Sequence, residues 1–397
     1  MRLAKRAAAI SPSPTLAITA KAKEMQKQGI DIIGFGAGEP DFDTPEHIKQ
    51  SAIAAIEQGF TKYTPAAGIE ELRQAVCVYL KGSQGLIYKP SQVVICSGAK
   101  HALYNIFQVI LDPGDEVIVP APYWVSYPEQ IKLAEGNPVI VETTESEGFI
   151  LTPEKLRKTI TPKTRALILN SPSNPTGAIY NEEQLLEIAR LALEYGFYII
   201  SDEIYNEIIY DGRSFKSIAA LGEEIKQQTI IVNGVSKTYS MTGWRIGYAV
   251  GEETIIKAIT DLQSHSTSNP TSFAQKASVD ALLGDQAFVR IMVQEFKKRR
   301  DYMVEKLNGM PGIECSCPPG AFYVFPNISG LIGKKHNDQE IKGSLSFAEL
   351  LLQKARVAVI PGIAFGNDNH IRLSYATSFE KIKQGLERIE RFVWELK

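Results

Sequence analysis

The sequence predicts an α/β protein in which a mostly parallel central sheet is sandwiched by helices and joined to a smaller α/β domain. Three observations carry this expectation. Short, continuously apolar runs alternate with helical patterns, and each run ends in a polar or glycine-bearing turn; strands buried on both faces by helices read this way. The chain has 397 residues, more than one simple core accommodates, so two domains are expected. The last third drops the alternation for a long charged helix, short strands and a closing amphipathic helix over 379–396. The expected division is an N-terminal arm over 1–15, a small domain from 16–44 with 285–397, and a large domain over 45–284.

Taken in order, residues 1–15 predict an extended arm, because Pro12 and Pro14 interrupt a helix. Helical spacing runs from Leu16 to Gln28 and stops at Gly29. Gly34, Gly36 and Gly38 have the wrong spacing for the dinucleotide-binding G-x-G-x-x-G, and Pro40 and Pro45 delay any helix that would take a phosphate. Glycines here suit a backbone against which a substrate lies. Helices are expected over 45–58 and 69–81, on either side of a loop that exposes Tyr63. Strand 92–96, the turn Ser97-Gly98-Ala99-Lys100 and helix 101–111 open the repeated pattern. Strand 116–119 leads into Pro120-Ala121-Pro122-Tyr123-Trp124, strand 166–170 into 171–177, and strand 197–201 into Asp202-Glu203-Ile204-Tyr205. In parallel sheets ligands gather at the carboxyl ends of strands, so these turns predict one shared site. Helices follow over 255–264, 273–283 and 286–307, the last carrying Lys297-Lys298-Arg299-Arg300 as a solvated stretch. Residues 330–343 read as a surface loop, 346–355 as a helix, and 357–362 and 370–375 as strands.

Composition narrows the function. Apolar content is 44%, charged content 22% and net charge −2 with the signs interspersed, so no field for nucleic acid or membrane is implied. Cys77, Cys96, Cys315 and Cys317 have no metal-ligand spacing and read as thiols of a reducing cytoplasm. The apolar run near the N-terminus is too short for a secretory signal, and no stretch reaches membrane-spanning length.

One stretch organises the rest. The apolar Ile230-Ile231-Val232 gives way to small and polar residues around Lys237, with Arg245 eight positions on, before Ile246–Val250 turns apolar again. A lysine at the lip of a buried strand is desolvated, which lowers its pKa and makes its amine nucleophilic. Small neighbours leave room for a cofactor, and an arginine suits a phosphate. The alternative, a solvated lysine in a hairpin, fits poorly with flanking strands this apolar.

Ser236-Lys237-Thr238-Tyr239-Ser240-Met241-Thr242-Gly243-Trp244-Arg245-Ile246-Gly247-Tyr248 resembles the lysine segment of class I pyridoxal-phosphate aminotransferases. Asp202-Glu203-Ile204-Tyr205 is similar to the family's D-E-x-Y, and 170–177 to its N-P-x-N-P-T-G, with Ser171 a departure. The resemblance covers nearly the whole chain. It implies pyridoxal-phosphate fold type I, the cofactor pyridoxal 5′-phosphate, and a homodimer with shared active sites.

That cofactor needs an amine for its aldehyde, an anion beside its pyridine nitrogen, donors for its phosphate and partners for its phenolic oxygen. Lys237 is the candidate amine and, once freed, the base at the substrate Cα. Asp202 is the candidate for the pyridine nitrogen; taken alone it also suits a helix N-cap. Tyr205 and Asn174 would face the phenolic oxygen. The N–H groups of Gly98, Ala99 and Lys100, at a helix N-terminus, with Ser236 and Arg245, would hold the phosphate. Trp124 would stack on the ring, though an aromatic there also suits a core. Tyr63 resembles the tyrosine that reaches the phosphate of the neighbouring subunit. Arg372 would fork onto the substrate α-carboxylate, its alternative being a structural ion pair. Gly38, Asn174 and Trp124 would line the same pocket.

Pro40–Pro45, Pro122–Pro128 and the Gly98-Ala99-Lys100 turn are similar to the bacterial and archaeal branch that acts on aspartate. The resemblance implies that Lys100, with Ser13 or Thr15, reads the second carboxylate. Aspartate and 2-oxoglutarate are then the expected amino-acid and 2-oxo-acid pair, in a ping-pong reaction. Three other functions remain in view: transamination of prephenate or aromatic amino acids, a pyridoxal-phosphate lyase, and a non-enzymatic effector-binding module. The last would need a DNA-binding unit, for which the arm is too short.

Overall fold

The computed structural model describes residues 4, 10 and 14–397, apart from the side chains of 14–17 and 19. In chain order the regular elements are α1 (Pro14–Lys27), β1 (Ile33–Gly34), α2 (Glu46–Glu57), α3 (Glu70–Gln84), β2 (Val93–Cys96), α4 (Ala99–Ile110), β3 (Glu116–Ala121), α5 (Ser126–Leu133), β4 (Asn137–Glu142), α6 (Pro153–Thr159), β5 (Thr164–Asn170), α7 (Glu182–Tyr195) and β6 (Tyr198–Asp202). They continue with α8 (Glu223–Gln228), β7 (Thr229–Gly234), β8 (Gly247–Val250), α9 (Glu253–Ser264), α10 (Ser272–Leu283), α11 (Ala287–Asn308), β9 (Tyr323–Val324), β10 (Lys335–His336), β11 (Gln339–Glu340), α12 (Ser344–Leu350), β12 (Val357–Ala358), β13 (Ile360–Pro361), β14 (Ile371–Ser374) and α13 (Phe379–Trp394).

The fold is α/β. Seven strands form one sheet in the order β2-β8-β7-β6-β5-β3-β4. Only β8 runs against its neighbours; the other pairs in the sheet are parallel. Every residue of β2, β7 and β8 is buried, as continuous apolar runs covered on both faces require. Helices bury matching stripes: α4 turns Ala102, Leu103, Ile106, Phe107 and Ile110 inward. Helix α7 starts where Asn181 accepts from the N–H of Gln184 (2.9 Å) and stops at Gly196, whose φ is +74°.

Register aims the site. Asn170 on β5 pairs with Asp202 on β6, which pairs with Val232 on β7. The polar ends of three parallel strands therefore lie side by side. The last third packs into one apolar cluster together with Ile33, Phe35 and Ile204, Tyr205, Ile208 and Tyr210 from the segment after β6, with β13-β14-β9 antiparallel and β1 parallel to β12. Among the described residues no helix is long and apolar enough to cross a membrane.

Four sequence expectations change. Most of the predicted arm lies outside the described residues, but Pro14 and Thr15 are helical, because proline is compatible with the first position of a helix. Strand β4, unread in the sequence, contains Pro138; it is an edge strand, where a missing N–H is tolerated. Residues 330–343 hold the β10-β11 hairpin and bury Leu331 and Ile341. The stretch 297–300 is not solvated throughout: Arg299 is 7% and Arg300 2% exposed. Four consecutive charges span a whole helical turn, so two must face inward beside Phe296 and Met303. Each inward arginine is paired, Arg299 with Asp41 (2.7 Å) and Arg300 with Asp211 (2.7 Å).

Candidate active site

The carboxyl ends of β5, β6 and β7 open onto a cavity of about 340 Å³. Its walls bring together Gly38, Ala99, Lys100, Trp124, Asn174, Asp202, Tyr205, Ser236, Lys237, Arg245 and Arg372, residues from turns far apart in sequence. Gly98 stands just behind the wall. Tyr63 stands apart, 91% exposed. Ser13 lies outside the described residues; Thr15 lies on α1, with its side chain outside them.

Lys237 follows β7, whose buried end holds it away from water. Its Nζ donates to the carbonyl of Gly38 (2.6 Å). Burial lowers the amine to about 8; Glu39 pulls it up, while Arg245 and Arg372 push it further down. An amine at that value is neutral often enough near pH 7–8 to act as nucleophile or base.

Asp202 closes β6. Tyr127 on α5 donates to its Oδ2 (2.6 Å), and its Oδ1 accepts from the N–H of Ile204 (3.3 Å). No helix begins there, so the helix-cap alternative lapses. Burial raises Asp202 to about 6, against the pull of Tyr127 and, more weakly, of Lys237. The carboxylate is therefore ionised at neutral pH but poorly compensated, ready for a cation in the cavity.

Arg372 on β14 is buried, which lowers its pKa from the usual value. Its Nη1 donates to Asn174 Oδ1 (3.0 Å) and its Nη2 to the carbonyl of Gly36 (2.8 Å). Its Nε has no partner. Asn174 is itself held, its N–H donating to Asn170 Oδ1 (2.9 Å), while Asn170 Nδ2 donates to the carbonyl of Asp202 (3.0 Å). Arginine, asparagine and aspartate thus share one connected framework.

The opposite wall is the start of α4. Gly98, at φ +90°, turns the chain from β2 into the helix. A side chain there would stand 2.5 Å from Arg245 Nη2, so glycine is what lets the guanidinium lie over this helix end. Gly247 on β8 is equally constrained: an added Cβ would meet the N of Ala99 at 2.2 Å. Arg245 is anchored by its Nη1 on the carbonyl of Thr242 (2.9 Å) and its Nη2 on that of Ser97 (3.3 Å). The first N–H groups of a helix have no intrahelical acceptor, so this end, with Ser236 and Arg245, forms an anion cradle. Lys100 projects across Trp124, its Nζ 4.8 Å from the ring centroid; burial and Arg245 lower its pKa.

Sequence reasoning missed two tyrosines. Tyr127, near the start of α5, falls inside the Pro122–Pro128 stretch that carries the resemblance, but nothing local assigns it a role. Tyr323 on β9 lines the cavity, with its hydroxyl 2.9 Å from that of Tyr205. Burial raises both Tyr205 and Tyr323, so they remain protonated hydrogen-bonding groups.

The donor set fits pyridoxal phosphate. It offers a desolvated amine, an under-compensated carboxylate, a helix-end cradle kept open by glycine, a buried phenol, and a buried arginine with one unused donor. Among the described residues no cluster of His, Cys, Asp or Glu could hold a metal ion.

The comparisons agree with this geometry. The family described as "Aminotransferase class I and II" matches residues 30–389. An aspartate aminotransferase of Geobacillus stearothermophilus is 52% identical over 99% of both chains. A probable aspartate/prephenate aminotransferase of Aquifex aeolicus (strain VF5) is 48% identical over 99% of both. Among solved structures, the aspartate aminotransferase from Rhizobium meliloti superposes with a TM-score of 0.97 at 44% identity, covering 100% of each chain. The Thermus thermophilus aspartate aminotransferase with maleate superposes with a TM-score of 0.92 at 46% identity, covering 98% of this chain and 100% of that one. A family match over nine-tenths of the sequence and these whole-chain likenesses settle the relationship: the chain belongs to the class I and II aminotransferases.

Proposed function

We propose that this protein is a pyridoxal-phosphate-dependent aspartate aminotransferase, moving the amino group of L-aspartate to 2-oxoglutarate and releasing oxaloacetate and L-glutamate. The observation that carries the reading is Arg372, a buried cation with an unused donor, facing the same cavity as the desolvated Lys237 and the charged Asp202. Relatives named aspartate aminotransferases at 52% identity support the amino donor.

Lys237 anchors the cofactor. Asp202 balances the charge on its pyridine nitrogen, Tyr205 and Asn174 face its phenolic oxygen, and Trp124 covers its ring. Gly98, Ala99, Lys100, Ser236 and Arg245 hold its phosphate. Bound there, pyridoxal phosphate supplies an electron sink and carries the amino group between half-reactions. Arg372, aided by Asn174 and Gly38, grips the substrate α-carboxylate with its planar fork. Nζ of Lys237 takes the proton from the substrate Cα. Lys100, with Ser13 or Thr15, reads the second carboxylate. The aromatic walls exclude water, which strengthens each of these charge contacts.

The protein works as a homodimer. Tyr63 is 91% exposed and stands clear of its own cavity, as a residue serving the neighbouring site must. Residues 45–284 form the large domain, and 16–44 with 285–397 the small one; the cavity draws its lining from both. The reaction takes place in the cytoplasm.

A panel of amino donors with 2-oxoglutarate tests the assignment. Aspartate is expected to lead; a poor rate beside aromatic or aliphatic donors would falsify the dicarboxylate specificity. Prephenate belongs in the acceptor panel, because a relative at 48% identity carries both names.

A further inference from the structure

We propose that Tyr323 is a positioning residue that links Arg372 to Tyr205, so that filling the carboxylate pocket is felt at the phenolic oxygen of the cofactor. This rests on the roles just given to Arg372 and Tyr205.

Three contacts meet on one fully buried ring. The hydroxyl of Tyr323 lies 2.9 Å from that of Tyr205. The guanidinium of Arg372 stands 4.5 Å from the ring centroid, held there because β14 pairs with β9. The third contact is Gly38, where an added Cβ would come 3.2 Å from the Tyr323 hydroxyl. The backbone whose carbonyl accepts from Lys237 therefore packs on the same ring.

Two hydroxyls share one hydrogen bond, so one donates. A cation against the ring draws electron density from the phenol oxygen and makes Tyr323 the better donor. Tyr205 then accepts from Tyr323 and keeps its own O–H for the cofactor, and a phenol that accepts one bond donates the next more strongly. The charged groups that bear on the pair are Arg372, Asp202 and Glu39. A substrate carboxylate on Arg372 offsets the cation and weakens the relay. Tyr323 thus reports the pocket's occupancy without touching the reacting atoms.

The test is a pH titration of the visible absorbance of the bound cofactor in the holoenzyme, compared among wild type, Tyr323→Phe, Tyr205→Phe and the double variant. Phenylalanine keeps the ring and its stacking, so the fold is retained. A donor to the phenolic oxygen favours its ionised form, so Tyr323→Phe is expected to raise the midpoint by about half a pH unit or more. In the Tyr205→Phe background the same change is expected to have no effect, because the relay has lost its second member. Saturating maleate is expected to move the wild-type midpoint further than that of Tyr323→Phe. An unmoved midpoint in Tyr323→Phe, or an equal shift in the Tyr205→Phe background, overturns the proposal alone. Absence of cofactor absorbance in the wild type overturns the functional reading, and this proposal with it.

Discussion

Arg300 and Arg372 are both buried, 2% and 4% exposed, and both lie over a tyrosine ring, yet their charge partners are opposite. Arg300 is saturated. Its Nη1 and Nη2 donate to the two oxygens of Asp211 (2.7 and 3.0 Å), its Nε donates to Asp301 (2.8 Å), and its guanidinium lies 4.6 Å from the ring centroid of Tyr210. Those contacts raise its pKa in spite of burial and pull Asp211 down to about 2. Arg372 has two neutral acceptors and an idle Nε, and among the described residues it forms no ion pair with a carboxylate. A buried charge without a counter-ion is unfavourable, so a fold retains one only where a ligand completes it. On the function proposed, the difference separates a structural arginine from a binding one: the first stabilises the fold, the second is left open for a substrate carboxylate.

Substitution at the two sites is expected to have opposite consequences. Arg372→Leu removes the fork proposed for the α-carboxylate and should lower kcat/KM by roughly a thousandfold, since truncating one partner of a buried charge pair costs several kcal/mol. Its melting temperature should stay level or rise. Steady-state kinetics beside a thermal melt checks both, and a clear loss of stability would break the distinction.

Asp202→Asn sharpens it from the anionic side. Turnover should fall by about a hundredfold or more, the scale of losing one preorganised electrostatic contact. The apoprotein should gain stability. Asp202 titrates at about 6 in the fold, above the roughly 3.9 of an unfolded carboxyl, so the folded state binds that proton more tightly. The stability this proton provides is complete below about pH 4 and is lost as pH rises to about 6. Asparagine lacks that loss, so the variant should exceed wild type by about 3 kcal/mol at pH 7 and converge with it near pH 4. Denaturant melts of apoprotein at the two pH values measure this.

Arg300→Met should do the reverse. Asp211 is left half-exposed rather than buried, so the cost is the lost hydrogen bonds and packing, about 2 kcal/mol. KM for aspartate should stay within about twofold of wild type, as expected for a site outside the cavity. The smallest effect is expected at the phosphate end. Gly98→Ala places a methyl against Arg245 at a left-handed backbone angle and should weaken cofactor binding about tenfold, seen by fluorescence titration of apoprotein.

The same contrast explains what could be read from the sequence. The central strands were legible because burial on both faces leaves continuous apolar runs, as in Val93–Cys96 and Ala166–Leu169. Lys237 and Arg245 stood out from their small, polar setting between apolar strands, whereas Asp202, Asn174 and Arg372 were singled out largely through motifs that resemble the aminotransferase family; all five line one cavity. Arg299 and Arg300 were misread because a run of charge does not reveal which members a helix turns inward. The edge strand β4 was hidden by Pro138. Tyr127 and Tyr323 were missed for a different reason: their importance lies in touching Asp202 and Tyr205 across 75 and 118 residues, which no local pattern encodes.

The central claim, that the amine of Lys237 is the one that bonds the cofactor's aldehyde, has a direct test. Holoenzyme is reduced with borohydride, digested and mapped by mass spectrometry. The pyridoxyl adduct is expected on the peptide bearing Lys237 and nowhere else. An adduct on another lysine such as Lys100, or a protein that carries none after reduction, would contradict the account.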